Sequence, residues 1–138
     1  MGIGTDTFPH NLIEDMRSAA ILARVASHDG HAVSTSDIFH AGTVGGATAL
    51  MRDDLGRLSV GAKADLAVVD LTHPLMMPAR DPLAGLIHSA ADRAIRDVYV
   101  DGQQVVKDAV VLTLDRQGAA ERLAEGQARM ESGVPGRD

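Results

Sequence analysis

The sequence has no cysteine and no tryptophan, and only one tyrosine and two phenylalanines. Without cysteine there is no disulfide, no thiolate metal site and no cysteine nucleophile. The scarcity of aromatic rings leaves the core to Ala, Val, Leu, Ile and Met, which fill space but offer few large anchors. Basic residues are outnumbered, 13 Lys and Arg against 19 Asp and Glu, for a net charge of −6. That balance argues against a nucleic-acid partner, which calls for a basic face. No apolar run approaches the roughly 20 residues that span a bilayer, so no membrane role is expected. Met1 is followed at once by Gly2-Ile3-Gly4-Thr5-Asp6 rather than by a signal-peptide pattern. With 138 residues, 45% of them hydrophobic, the chain is one domain's worth at most. The expectation is a soluble, acidic, cytoplasmic protein.

What is present is organised around residues 53–71. Gly56 marks one turn and Gly61-Ala62-Lys63 a second, with the apolar Leu58 and Val60 between them. Residues 64–71 are apolar on both faces apart from Asp65 and Asp70, which predicts a strand covered on both sides. Asp65 and Asp70 fall near its ends, as structural carboxylates rather than a catalytic pair. Upstream, Leu12, Met16, Ala19, Ala20 and Ala23 recur at helical spacing, predicting an amphipathic helix over 11–26. Asn11, with Glu14 three residues on, is a capping-box-like start. Asp29-Gly30 breaks that helix, and Ser34-Thr35-Ser36-Asp37 offers several caps for a short one ending near residue 42.

Downstream, the prolines of His73-Pro74-Leu75-Met76-Met77-Pro78 predict an extended loop. Asp81-Pro82 caps a short helix near 83–88. Residues 94–100 and 103–107 read as two strands joined by an Asp101-Gly102 hairpin turn, with a further short strand at 110–112. Residues 116–130 form a polar, alanine-rich helix, and 132–136 a disordered-looking end. There is no internal repeat.

Several of these stretches resemble one family. Gly56-Arg57-Leu58, Val60-Gly61, Lys63-Ala64-Asp65-Leu66 and Val68 together resemble the segment by which amidohydrolase-superfamily chains leave the catalytic barrel for a small β-sandwich. The Val98-Tyr99-Val100-Asp101-Gly102 hairpin resembles that family's hairpin, and Gly45-Gly46-Ala47-Thr48-Ala49-Leu50 its helix that packs closely against the barrel. Gly4-Thr5-Asp6 resembles the end of the eighth barrel strand. The run from Gly4 through Asn11 to Met16-Arg17 is similar to the cytosine-deaminase and triazine-hydrolase branch.

The resemblance covers about residues 2–130 and implies an α/β fragment. That fragment would be the last strand and helices of a TIM-like (β/α)8 metal-dependent hydrolase barrel plus part of a small composite β-sandwich. Residues 1–52 would end the catalytic barrel, 53–115 would belong to the sandwich, with a short helix near 82–88, and 116–138 would be a C-terminal helix and disordered tail. The family's paired metal histidines have no counterpart here, nor do the strands carrying its later histidine and acid/base residues.

For chemistry, the resemblance implies that Asp6 contacts the metal and relays a proton. Read from the residues alone, Asp6 is a turn or cap residue. His10 and Asn11 are candidate substrate contacts, against the readings of an exposed loop histidine and a helix cap; Phe8 shares that position. His28 and His31 flank Asp29-Gly30 without a third ligand in view. His40, His73 and His88 are scattered without partners.

The complete enzyme would hydrolyse a C–N bond other than a peptide bond, deaminase- or chlorohydrolase-like, on a small nitrogen heterocycle. It would use one divalent metal, zinc or iron. The fragment alone is expected to bind no catalytic metal and to be inactive. It is also expected to associate with copies of itself or with the missing N-terminal part, covering its open edges. The alternative is a non-catalytic oligomerisation or binding module derived from the sandwich. Such a module has no need of Asp6.

Overall fold

The computed structural model describes residues 1–6 and 10–132. Phe8 and the tail expected over 132–136 lie outside them, except for Ser132, which ends a helix. Asn11 opens helix α1 (Leu12–Ser27) by accepting the Glu14 backbone N–H on its side-chain oxygen at 3.3 Å. That satisfies one of the first-turn donors no helix can satisfy internally. The helix stops at His28, whose left-handed φ of 54° turns its N–H back to the Val25 carbonyl at 3.2 Å. Met16 and Ala20, one turn apart, are buried, while Ile21, Leu22 and Val25 face outward.

Helix α2 (Thr35–Gly42) carries a complete capping box. The Asp37 N–H donates to Ser34 Oγ, and the Ser34 N–H donates to Asp37 Oδ2, both at 3.1 Å. After Thr43 alone the chain re-enters a helix, α3 (Val44–Ala49).

The sheet is antiparallel, in the order β1 (Leu66–Val69), β2 (Ile95–Val100), β3 (Gln103–Lys107), β4 (Val110–Val111). Asp101 and Gly102 turn between β2 and β3 with φ of 51° and 79°, the two positive values a tight primed turn requires. Asp65 secures this turn by accepting the Asp101 N–H at 2.6 Å, and Lys63 Nζ pairs with the Asp101 carboxylate at 2.8 Å. Asp70 accepts both the N–H and the hydroxyl of Thr72. Both carboxylates thus hold strand ends, as expected.

Between β1 and β2 the Asp81 carboxylate caps α4 (Pro82–Gly85) by accepting the Ala84 N–H at 2.9 Å. The helix then widens into a π-turn over Leu86–Ala90 and tightens into a 3-10 turn over Ala91–Ala94. A long polar helix, α5 (Arg116–Ser132), ends the described chain with no buried residue. No helix among the described residues is long and apolar enough to cross a membrane.

Three expectations change. The strand at 64–71 shrinks to Leu66–Val69, and none of its residues is buried; Ala67 is exposed. Its apolar pattern records the cover such a strand needs, whereas the described chain leaves it at a sheet edge. The His73–Pro78 stretch is not wholly extended. Pro74–Met76 makes one 3-10 turn, because proline at a first helical position loses no hydrogen bond and His73 Nδ1 accepts the Leu75 N–H at 3.2 Å. Finally, Met1 to Asp6 makes no strand ladder with the described residues. The Ile3 N–H donates instead to the Ala41 carbonyl at 3.0 Å. A parallel strand exists only through neighbours on its flanks.

The core is built from the residue types that the shortage of aromatics imposes. One cluster joins Met16, Ala20, Ile38 and Ile87; another joins Met76, Leu86, Ala90 and Ala94. Ile13 packs against both, so helices and sheet share a continuous interior. Asp97, 8% exposed, is the buried carboxylate of the sheet. It accepts from Arg96 Nε at 2.8 Å, the Asp108 N–H at 3.1 Å and Gln104 Nε2 at 3.3 Å.

The Arg96 bond first, then the Asp108 N–H, holds the Asp97 carboxyl below the usual range. A depressed folded value means that Asp97 stabilises the fold above the unfolded carboxyl value of about 3.9. That contribution fades as pH falls through the folded value. Asp97→Asn is therefore expected to be less stable than wild type at neutral pH, with a shallower fall in melting temperature on acidification below about pH 4. Equal acid slopes for the two proteins would refute the assignment.

Candidate active-site segment

The candidate residues lie on the segment that leads into α1. Asp6 is exposed at the end of the stretch anchored by the Ile3–Ala41 bond. His10 is exposed on the far side of residues 7–9. Asn11 is placed differently. Its oxygen caps α1, and its Nδ2 donates to Asp92 Oδ1 at 2.9 Å, across 81 residues of sequence. Both ends of the Asn11 amide are thereby engaged, and Asp6 and His10 are the groups left facing solvent.

Three of the remaining histidines serve local turns and caps, and His40 and His88 make no side-chain hydrogen bond among the described residues. His28 closes α1, and the His31 N–H donates to Asp29 Oδ1 at 2.8 Å in the turn that follows. His40 is exposed in the last turn of α2. His73 caps the 3-10 turn. His88 has its pKa lowered by burial first, and then by the positive charges of Arg24 and Arg17.

No group of three or more His, Cys, Asp or Glu able to hold a metal ion occurs among the described residues. One carboxylate does not replace the usual three protein ligands, so these residues do not fit a metal centre by themselves. An open crevice of about 230 Å³ is lined by Asp70, His73, Arg93, Arg96 and Asp108 with three apolar neighbours, and includes none of Asp6, His10 and Asn11.

Sequence reasoning missed two partners. Asp92 holds Asn11, and the Ile87 carbonyl accepts Arg17 Nε at 2.8 Å. Neither has a local signal, because each pairs residues 70 or more apart.

The amidohydrolase family matches residues 1–105. Over 132 residues the chain is 39% identical to the 5-methylthioadenosine/S-adenosylhomocysteine deaminase of Natronomonas pharaonis, covering 93% of this chain and 30% of that protein. It is 34% identical over 116 residues to the S-triazine hydrolase of Gordonia rubripertincta, covering 80% of this chain and 24% of that one.

In three dimensions the chain superposes on a zinc-bound adenosine deaminase from Xanthomonas campestris with a TM-score of 0.86 at 29% identity, covering 95% of this chain and 31% of that one. It superposes on the zinc complex of atrazine chlorohydrolase from Arthrobacter aurescens TC1 with a TM-score of 0.74 at 28% identity, covering 82% and 25%. The chain spans 24–30% of the length of the two curated relatives. Its architecture is an α/β part of a TIM-like hydrolase barrel with a small antiparallel sheet. Motif, family match and superposition converge on one lineage, and the chain belongs to the amidohydrolase family.

Proposed function

We propose that this chain supplies the C-terminal part of a metal-dependent amidohydrolase that deaminates a nitrogen heterocycle. Residues 1–52 would complete its barrel, 53–115 would contribute to its sandwich, and 116–138 would trail from it. The observation that carries the reading is the exposed Asp6 at the end of the Gly4-Thr5-Asp6 motif, three residues beyond the Ile3 N–H that bonds the Ala41 carbonyl of α2. The relatives named as deaminases of 5-methylthioadenosine and S-adenosylhomocysteine support an exocyclic amine as the leaving group.

In such a reaction water adds to the ring carbon and ammonia departs. Asp6 takes a proton from the attacking water and returns it to the leaving amine. His10, across residues 7–9 from Asp6, would contact the substrate. Asn11 would hold the entry to α1 beside it. A divalent metal of the zinc type bound by the neighbours would need ligands from the rest of the complete protein. The same remainder, or further copies of the chain, would cover the β1 edge and exposed apolar residues such as Leu58 and Val60.

The 138-residue chain by itself is expected to release no ammonia from 5-methylthioadenosine and to retain no zinc after dialysis. Joined to an N-terminal remainder of the relatives' length, it is expected to release ammonia and to retain zinc. Ammonia release by the chain alone would refute this division of labour. An inert complete protein would favour a non-catalytic binding module instead.

A further inference from the structure

The segment that carries Asp6 and His10 is held at both ends. Its start is fixed by the Ile3 N–H, which donates to the Ala41 carbonyl at 3.0 Å. Its end is Asn11, whose Nδ2 donates to Asp92 at 2.9 Å. A carboxylate only accepts, so it selects the NH2 end of the Asn11 amide and leaves Oδ1 to the Glu14 N–H. Asp92 thereby fixes how the chain turns into α1, directly after His10.

That carboxylate is offered from a corner with little freedom. The Ala91 N–H donates to the Leu86 carbonyl and closes the π-turn. Ala91 itself has φ 51° and ψ −133°, a backbone conformation that favours glycine and is costly for alanine. It is fully buried, so the packing around it holds it there. On the other side of Asp92, Arg93 donates from Nε to the Ala90 carbonyl and from Nη2 to the Ser89 carbonyl, both at 2.9 Å. Strained backbone and π-turns both concentrate at functional sites. Here the functional group they can serve is the one Asp92 reaches.

We propose that Asp92 is a positioning residue for substrate binding, which acts through Asn11 to set where His10 meets the substrate. This rests on the reading of His10 as a substrate contact. Asp92 is exposed, so truncating it removes no packing. A contact away from the reacting atoms strengthens ground state and transition state alike, so its loss falls on KM and not on kcat.

The test is carried out on the complete enzyme, with kcat and KM for ammonia release from 5-methylthioadenosine measured alongside thermal midpoints. Asp92→Ala is expected to raise KM about fivefold, the size of one hydrogen bond's net contribution, with kcat within about twofold of wild type. Asp92→Asn keeps an accepting oxygen and is expected to restore KM. Asn11→Asp keeps the capping oxygen but turns a carboxylate toward Asp92, and its KM is expected to rise as in Asp92→Ala. His10→Ala is expected to raise KM by itself. Adding Asp92→Ala to it is expected to change KM by less than about twofold further, because the two residues act in series.

Wild-type KM in Asp92→Ala, with or without a lowered thermal midpoint, makes the tie purely structural and overturns the inference even while His10→Ala remains impaired. Independent losses that multiply in the double variant also overturn it, because Asp92 would then not act through His10. Wild-type KM in His10→Ala, or a complete enzyme inert on 5-methylthioadenosine, removes the substrate role of His10 and this inference with it.

Discussion

Asp6→Asn in the complete enzyme is expected to reduce kcat for ammonia release from 5-methylthioadenosine by about 10³-fold, with KM little changed. Asparagine keeps the size and hydrogen-bonding oxygen of the side chain but cannot take up and return a proton at neutral pH. Asp6 is exposed, so the substitution removes no packing. The thermal midpoint of the variant is therefore expected to match that of wild type, since surface changes usually stay within about 0.5 kcal/mol. The competing role, a turn or cap carboxylate, predicts the opposite pair of results: reduced stability and kcat within a few-fold of wild type. Steady-state kinetics and a melting curve on the same preparation separate the two.

Ile87→Ala is expected to cost about 3 kcal/mol of folding stability. Ile87 is fully buried on the π-turn Leu86–Ala90 and packs with Met16 and Ala20 of α1 and Ile38 of α2. Among the described residues, no aromatic side chain belongs to this cluster, so none is at hand there to collapse into the space. The backbone carbonyl of Ile87 still accepts Arg17 Nε in the variant, so the loss measures packing and not a broken hydrogen bond. Leu123→Ala provides the contrast. Leu123 is 74% exposed on α5, and its removal is expected to change stability by no more than about 0.5 kcal/mol. Urea unfolding of the two variants checks this; similar losses would mean that Ile87 does not join the helices as described.

Where the signals are local, sequence and structure coincide. Asn11 with Glu14 starts α1, Ser34 with Asp37 starts α2, and Asp81 with Pro82 starts α4. Asp101-Gly102 turns the β2–β3 hairpin. Each acts through a side chain or backbone angle within about four residues, which is the range over which a one-dimensional pattern carries physical information. The widening of α4 into a π-turn had no such signal. It accompanies the packing of Leu86 and Ile87 into two different clusters, a requirement set by elements far away in sequence.

The candidate site divides along the same line. By itself the sequence determined the lineage, the helix starts, the hairpin turn and the type of core, and it singled out Asp6 as the candidate carboxylate. Only the tertiary structure decided what surrounds that carboxylate. It showed the Ile3 to Ala41 anchor and the tie from Asn11 to Asp92. It also showed that β1 lies at an edge with no buried residue. Turn and cap chemistry is written into neighbouring residues, so it can be read along the chain. A contact between segments some 40 or 80 residues apart depends on the path that the packed core imposes, and no periodicity or motif records it.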